Sequence, residues 1–264
     1  PLTLAIEVSN PSAHADHTRA STHPDSSTPD ILGPSVALAR GSSVLDQEPL
    51  ITRDRHDDDL MPAIDRLVRR AGFTPRDLER IAVSIGPGGF TGLRVAIATA
   101  KALGEAIIAR GGNPDSCTPV PSARVVAHNH AAAGPHRPFA VALASKRHTA
   151  WLTVFAPDTT PLPPMGTSLD TPGLLASADD LEAICRARAI GTLLADEHLP
   201  AALRDRAAQL GIVIHPPIFS AAACARVAAT LSPINPAALL PLYPREPEAV
   251  TKWRTLHPRS DTQP

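Results

Sequence analysis

Residues 81–94 read Ile-Ala-Val-Ser-Ile-Gly-Pro-Gly-Gly-Phe-Thr-Gly-Leu-Arg, and this stretch is the most informative part of the sequence. Its first five residues form a short apolar run that ends at Gly-Pro, which is typical of a strand buried in a sheet. The glycines that follow permit positive φ angles and close backbone approach. Thr91 is a candidate N-cap for a helix that begins near Gly92. The stretch therefore predicts a buried strand, a tight turn and a helix.

Two interpretations of this glycine-rich turn stay open. Free backbone N–H groups at the start of a helix can hold an anion such as a phosphate. The same glycines can also let the helix pack closely on its own sheet. In the helix itself, Ala98, Ala102 and Ala106 recur every four residues and form a narrow stripe that would let a second helix approach.

Length and composition limit the number of domains and the kinds of partner that this chain can have. A chain of 264 residues can form one large or two small domains. A net charge of −1 gives no electrostatic reason to bind nucleic acid unaided. Three cysteines without metal-ligand spacing disfavour a disulfide framework. Because no long apolar run or leader-like segment is visible, we expect a cytoplasmic protein that does not associate with membranes.

Strands and helices alternate along the chain, which predicts the α/β class. Residues 2–9 are expected to form the first strand, and residues 35–39 and 43–45 the next two. The stretch 10–33 is polar and rich in Pro, Ser and His, so it predicts a flexible insertion. We place the domain boundary after residue 112. This divides the chain into an N-terminal domain, 1–112, and a C-terminal domain, 113–264, whose last segment could pack back on the first.

Residues 56–72 carry the start and stop signals of a helix. Asp57 to Asp59 supply an N-cap and negative charge at its start, and Arg69 and Arg70 lie in its last turn. The positions of four residues predict a single apolar face: Leu60, Ile64, Leu67 and Val68.

The residues 86–94, followed by Ala98-Thr-Ala-Lys-Ala-Leu103, closely resemble the GPGSFTGLR…ATAKGL signature of the TsaB (YeaZ) family. Residues 56–64 resemble its H-S-x-x-L-x-P-x-I helix, and residues 241–245 its P-x-Y-L-R tail. Similarity is strong over 43–110, recognisable over 1–9 and 236–250, and thin between 113 and 235. The resemblance implies a duplicated actin/hexokinase-like (ASKHA) fold with two sheet-and-helix subdomains.

The resemblance also implies a role and a set of partners. The family supplies a non-catalytic subunit of the bacterial machinery that forms N6-threonylcarbamoyladenosine at position 37 of tRNA. By this resemblance the chain would bind a TsaD-type transferase, work with a TsaE-type ATPase through the complex, and form a homodimer when alone. It would meet tRNA mainly through its partners. The implied partner interface consists of Leu60, Ile64, Leu67, Val95, Ala98, Thr99, Ala102, Leu103 and Ala106.

The signature loop consists of Gly86, Pro87, Gly88, Gly89, Phe90, Thr91, Gly92 and Arg94. Arg94 could meet a phosphate, or it could pair with an acidic residue on its own chain or on a partner, which is the interpretation we favour. Phe90 is expected to anchor the turn from beneath rather than to act as a stacking platform.

Residues that could support chemistry are few. Glu7 ends the first strand, where related sugar kinases and actin-like ATPases carry an acidic residue that positions a metal-nucleotide. A vestigial nucleotide site with weak nucleotide binding therefore stays open there. Ser122 and Val126 replace the two histidines of the TsaD-type H-x-E-G-H helix. His128 and His130 would point about 200° apart on a helix, so they do not form a metal pair.

We therefore expect no catalytic residues, no metal and no obligate cofactor. The main alternative is an ATP-dependent phosphotransferase of the same fold, with Glu7 and the loop 86–92 around the nucleotide. A weaker alternative is a glycoprotease-type metallopeptidase, which would require a bound metal.

Overall fold

The computed structural model describes residues 1–9, 30–51, 59–131, 134, 136–145, 148–162, 173–245, 253 and 256–257. Residues 10–29 of the expected insertion therefore lie outside the described residues, as do His56, Asp57 and Asp58 and the tail beyond residue 245 up to 252.

Strands and helices alternate through these residues. The strands are β1 (Leu2–Glu7), β2 (Ser35–Arg40), β3 (Ser43–Pro49), β4 (Arg80–Gly86), β5 (Cys117–Pro121), β6 (Phe139–Ala144), β7 (Ala150–Phe155), β8 (Pro161–Leu162), β9 (Leu174–Ala176), β10 (Thr192–Ala195) and β11 (Val213–His215). The α-helices are α1 (Leu60–Arg70), α2 (Phe90–Ala109), α3 (Ser122–Ala131), α4 (Ala178–Arg188), α5 (Ala201–Gln209) and α6 (Ala221–Ala228). Short 3-10 helices cover Pro75–Asp77 and Pro236–Ala238.

The first sheet has the strand order β3-β2-β1-β4-β5. β1 is antiparallel to β2 and parallel to β4, which in turn is parallel to β5. Alternation along β1 sends Leu4 and Ile6 into the core shared with α1 and α2, whereas Ala5 joins the cluster that contains α6. Alanines line that second face, so α6 can approach the sheet closely.

The second sheet has the order β11-β10-β6-β7-β8, with β9 paired to β7. Helices α4 and α5 supply residues to the core on one face, including Leu181 and Leu203. Helix α3 lies between the sheets, because Val125 belongs to the first sheet's cluster with α6 and Val126 packs with Phe139 of the second sheet. This arrangement confirms the predicted α/β class and is consistent with the duplicated ASKHA-like architecture.

The last third of the chain returns to the first sheet. Cys117 and Ile234 exchange backbone hydrogen bonds of 3.0 and 2.6 Å. Lys101 on α2 donates to the carbonyl of Ala237 at 3.3 Å. The first sheet also takes β5 and its covering helix α6 from chain beyond residue 112. The division of the chain into domains at residue 112 stays a prediction.

The N-terminal caps of α1 and α2 differ from those that the sequence predicts. Asp59 occupies the N-cap position of α1, but its carboxylate accepts hydrogen bonds from Arg66 and from the amide of Ile51, so the expected side-chain cap is not formed there. The predicted N-cap at Thr91 is wrong. Gly89 is the N-cap of α2, because its carbonyl already accepts the amide of Leu93 at 3.0 Å.

Residues 30–33 are held by neighbouring elements. Asp30 is buried and forms a two-pronged ion pair with Arg226 of α6 at 2.6 and 3.1 Å. The amide of Ile31 donates to the side chain of Gln47 at 2.9 Å, and that of Gly33 to the carbonyl of Phe219 at 2.8 Å. The flexible insertion predicted from composition therefore does not extend through residue 33.

Candidate functional site

Glu7 lies at the carboxyl end of β1 and is fully buried. Its Oε1 accepts hydrogen bonds from the amide of Ser9, at 2.7 Å, and from the Ser9 hydroxyl. Its Oε2 accepts the hydroxyl of Ser84 on β4. Burial raises the pKa of Glu7 above its ordinary value of 4.5, and the hydrogen bonds from Ser84 and Ser9 oppose that shift. Both carboxylate oxygens are therefore engaged by neighbouring residues of the same chain.

The signature loop packs directly on the end of β1. A Cβ atom on Gly88 would lie 2.0 Å from the carbonyl oxygen of Ser9, and one on Gly92 would lie 3.2 Å from the carbonyl oxygen of Val8. The amide of Gly89 donates to the same Ser9 carbonyl at 2.8 Å. These glycines therefore serve close backbone contact, which is one of the two interpretations that the sequence left open.

At Gly86 the signature loop closely approaches Leu242, which lies far along the chain. Its φ of +102° lies in the region that favours glycine, and it precedes a cis peptide bond to Pro87. A Cβ atom at this position would lie 2.9 Å from Cδ1 of Leu93 and 3.1 Å from the carbonyl oxygen of Leu242. The loop therefore meets residues near the C-terminal end of the chain as well as β1.

An exposed stack lies at the start of α2. Phe90 is 52% exposed, so the prediction that it anchors the turn from beneath is wrong. The guanidinium carbon of Arg94 lies 3.7 Å from the Phe90 ring centroid, and Arg94 Nε donates to the hydroxyl of Tyr243 at 3.0 Å. The two aromatic rings are 5.6 Å apart. No carboxylate of the described residues forms an ion pair with Arg94, and its pairing with a partner's acidic residue stays a prediction.

The predicted interface residues divide into two groups. Leu60, Ile64 and Leu67 are buried in the core between α1 and the first sheet, so they are not available on the surface of the isolated chain. Of the predicted residues on α2, Leu103 is half-buried and packs against that core, and the others are not among its members. We call the following set the α2 surface: the exposed Val95, Ala98, Ala102 and Ala106, with the half-buried Thr99 and Leu103.

Comparisons with known proteins show which sequences and folds this chain resembles. Residues 41–162 match the family model described as TsaD, tRNA N6-adenosine threonylcarbamoyltransferase. A segment of 68 residues is 34% identical to the tRNA threonylcarbamoyladenosine biosynthesis protein TsaB of Bacillus subtilis (strain 168) and covers 26% of this chain. That match spans only 30% of the length of the curated relative.

Two solved structures share the fold over almost the whole chain. One is titled as the crystal structure of an uncharacterized protein with similarity to peptidase YEAZ from Pseudomonas aeruginosa; it has a TM-score of 0.59, 19% identity, and coverage of 92% of this chain and 99% of that one. The other, YeaZ from Pseudomonas aeruginosa, has a TM-score of 0.52 and 17% identity, with 92% and 99% covered. The chain is therefore similar in part of its sequence to proteins named TsaB and TsaD, and it shares the fold of the two YeaZ structures.

The two positions that the sequence resemblance aligns with the TsaD-type metal ligands are buried in this fold. Ser122 and Val126 are buried at the start of α3, where Val126 packs against the second sheet. His130 stacks edge-on against Phe139 at 4.7 Å and lies 6.5 Å from His215. Across the described ranges, no group of three or more His, Cys, Asp or Glu side chains is arranged to hold a metal.

None of the helices described here is both long enough and apolar enough to cross a bilayer.

Sequence reasoning missed two contacts of this site, both made by Ser84. Ser84 is the single polar residue in the apolar run 81–85, and that isolation is the signal that could have indicated its bond to Glu7. Cys224 lies 3.9 Å from the Ser84 hydroxyl, and burial is the main cause that raises the pKa of its thiol. Nothing near Cys224 in the sequence indicates this contact.

Proposed function

We propose that the chain is a non-catalytic subunit of the machinery that forms N6-threonylcarbamoyladenosine at position 37 of tRNA. In this proposal it binds a TsaD-type transferase and supports its active arrangement. The observation that carries the proposal is the α2 surface, where exposed small apolar residues continue over several turns. Such a surface lets a second helix approach closely and bury apolar area. The name of the Bacillus relative supports the choice of pathway.

The surroundings of Glu7 favour a non-catalytic role for this chain. A carboxylate that positions a metal-nucleotide must be accessible to it, whereas Glu7 is fully buried and its two oxygens accept hydrogen bonds from Ser9 and Ser84. A phosphate cradle needs open amides, and the amide of Gly89 is already bound to the carbonyl of Ser9. These contacts favour the subunit role over an ATP-dependent phosphotransferase.

Further parts of the proposal concern the assembly. The chain is expected to form a homodimer when alone and to work with a TsaE-type ATPase through the complex. Its net charge of −1 supports contact with tRNA mainly through partners. We propose that it acts in the cytoplasm and needs no obligate cofactor, with weak nucleotide binding left open.

Co-purification tests the proposal directly. The tagged chain, co-expressed with the TsaD-type protein of its own organism, should yield a stable complex. Ala102→Arg should abolish that complex, because the arginine blocks helix approach and would leave a buried charge without a partner. Ala183→Arg is the matched control, since Ala183 is exposed on α4. A complex that survives Ala102→Arg would exclude the α2 surface as the interface.

Isothermal titration with Mg-ATP separates the subunit from the alternative enzyme. We expect at most weak binding and no turnover by the chain alone. Micromolar binding together with turnover would instead favour a phosphotransferase of this fold.

A further inference from the structure

The segment 241–245, which we call the tail strap, touches both sheets. At one end, the amide of Leu242 donates to the carbonyl of Ile85 on β4 at 2.8 Å. At the other end, Nη2 of Arg245 donates to the hydroxyl of Thr149 at 2.8 Å. Thr149 directly precedes β7 of the second sheet. The strap therefore connects the end of a strand in the first sheet to the start of a strand in the second.

The middle of the tail strap reaches the start of α2. Tyr243 accepts a hydrogen bond from Nε of Arg94, whose guanidinium stacks on Phe90. The room for this segment comes from the glycine at position 86, since a Cβ atom there would lie 3.1 Å from the carbonyl oxygen of Leu242. The strap thus fits a groove that the signature loop leaves for it.

These contacts fix a side chain that would otherwise be mobile. An exposed arginine has many rotamers, but the ring of Phe90 and the hydroxyl of Tyr243 hold the plane and the Nε edge of Arg94. Its Nη groups make no hydrogen bond to the described residues. A guanidinium fixed in this way favours recognition of a carboxylate through two parallel hydrogen bonds.

We propose that Tyr243 is a positioning residue for Arg94, and that the tail strap couples the second sheet to this end of the α2 surface. Arg94 then binds a carboxylate of the partner subunit. This last step rests on the proposed function, whereas the coupling itself belongs to the isolated chain.

Hydrogen exchange on the isolated chain tests the coupling. Arg245→Ala and Thr149→Val each remove the contact with the second sheet from a different side. Both should speed exchange of the Leu242 amide and of the Leu93 and Arg94 amides, although these lie on the first sheet's side of the strap. Leu240→Ala is the control, because Leu240 precedes the strap and is 67% exposed. Unchanged protection at Leu242 in both variants would overturn the coupling.

A double-mutant cycle tests the positioning role. Tyr243→Phe removes only the hydroxyl and should weaken binding to the TsaD-type subunit by about threefold to tenfold, the range expected for one hydrogen bond. The same change made on an Arg94→Gln background should have no further effect. Additive losses would overturn the positioning role. If the unaltered chain does not bind the subunit, the proposed function and the carboxylate assignment fail, while the exchange result on the coupling stands.

Discussion

At the residue scale, the carboxyl group of Glu7 is removed from solvent, and its pKa lies above the ordinary value of 4.5 because burial outweighs the hydrogen bonds from Ser84 and Ser9. The folded chain therefore keeps this proton to a higher pH than the unfolded chain does. The stability contributed by the neutral group is fully present below pH 4.5 and is lost as the pH rises through the raised folded pKa.

The first prediction concerns the charge of Glu7. Glu7→Gln keeps the shape and removes the ionisation, so it should match or exceed the unaltered chain in melting temperature at neutral pH. Glu7→Ala leaves the hydroxyls of Ser9 and Ser84 unpaired and should cost about 1–3 kcal/mol of unfolding free energy. Thermal denaturation between pH 4.5 and 8 measures both variants. An equal loss in the two variants at neutral pH would contradict this account.

The second prediction concerns the ion pair of Asp30 and Arg226, whose side chains are 2% and 7% exposed. Asp30→Ala should lower the free energy of unfolding by about 3–5 kcal/mol, because it leaves the guanidinium buried and uncompensated. The combined change of Asp30→Leu with Arg226→Met should recover much of that loss. Urea denaturation gives the free energies.

The control for that ion pair is exposed. Arg69 and Asp65 form a pair at 2.8 Å with side chains 76% and 54% exposed. Asp65→Ala should therefore change the free energy of unfolding by about 1 kcal/mol or less. A similar cost for the exposed and buried pairs would show that burial does not determine the effect.

At the element scale, local patterns predicted most of the helices and strands. The apolar spacing of α1 predicted a single apolar face, and the structure places Leu60, Ile64 and Leu67 of that face in the chain's own core. The start of α2 was misplaced because it depends on the backbone of Ser9, which is remote in sequence. The contact of Phe90 with Tyr243 joins residues that are still farther apart in the sequence. Periodicity carries no information about such distant contacts.

The third prediction concerns the contact between the signature loop and β1. Gly88→Ala should destabilise the chain by about 1–3 kcal/mol or more, because the new Cβ would lie 2.0 Å from a backbone oxygen that has little freedom to move. Gly191→Ala is the matched control, since nothing lies within 4 Å of its Cβ position. Denaturation midpoints of the two variants decide the matter. Equal midpoints would show that the loop can shift away from Ser9.

At the scale of the whole molecule, the alternation of strands and helices predicted the α/β class, and the duplicated fold was implied by the family resemblance of the signature motif. The motif itself carries β4, the turn and α2 of the first sheet. The sequence did not indicate that α6, with its eight buried residues, covers the face of that sheet that carries Glu7. Short alanine-rich segments fit many surfaces, so composition alone does not say which sheet they cover.

The last prediction concerns the complete reconstituted reaction. If the chain acts through its interface, Ala102→Arg should nearly abolish threonylcarbamoyl transfer, whereas Glu7→Ala should cost little at a temperature where it is folded. The reason is that the proposed contribution to the rate lies in holding the partner, not in a local acid or base. A large loss from Glu7→Ala with the complex intact would revive a nucleotide site on this chain.

The first sheet is completed by segments that are synthesised late: α6 covers one of its faces, and Ile234 pairs with Cys117. The first four strands of the first sheet emerge early, yet the alanine face formed by Ala5, Ala37 and Ala82 stays uncovered until residues 221–228 have left the exit tunnel. The first sheet therefore exposes an apolar face to solvent during much of translation. A nascent chain stalled before residue 220 should bind chaperones that a chain released at full length does not.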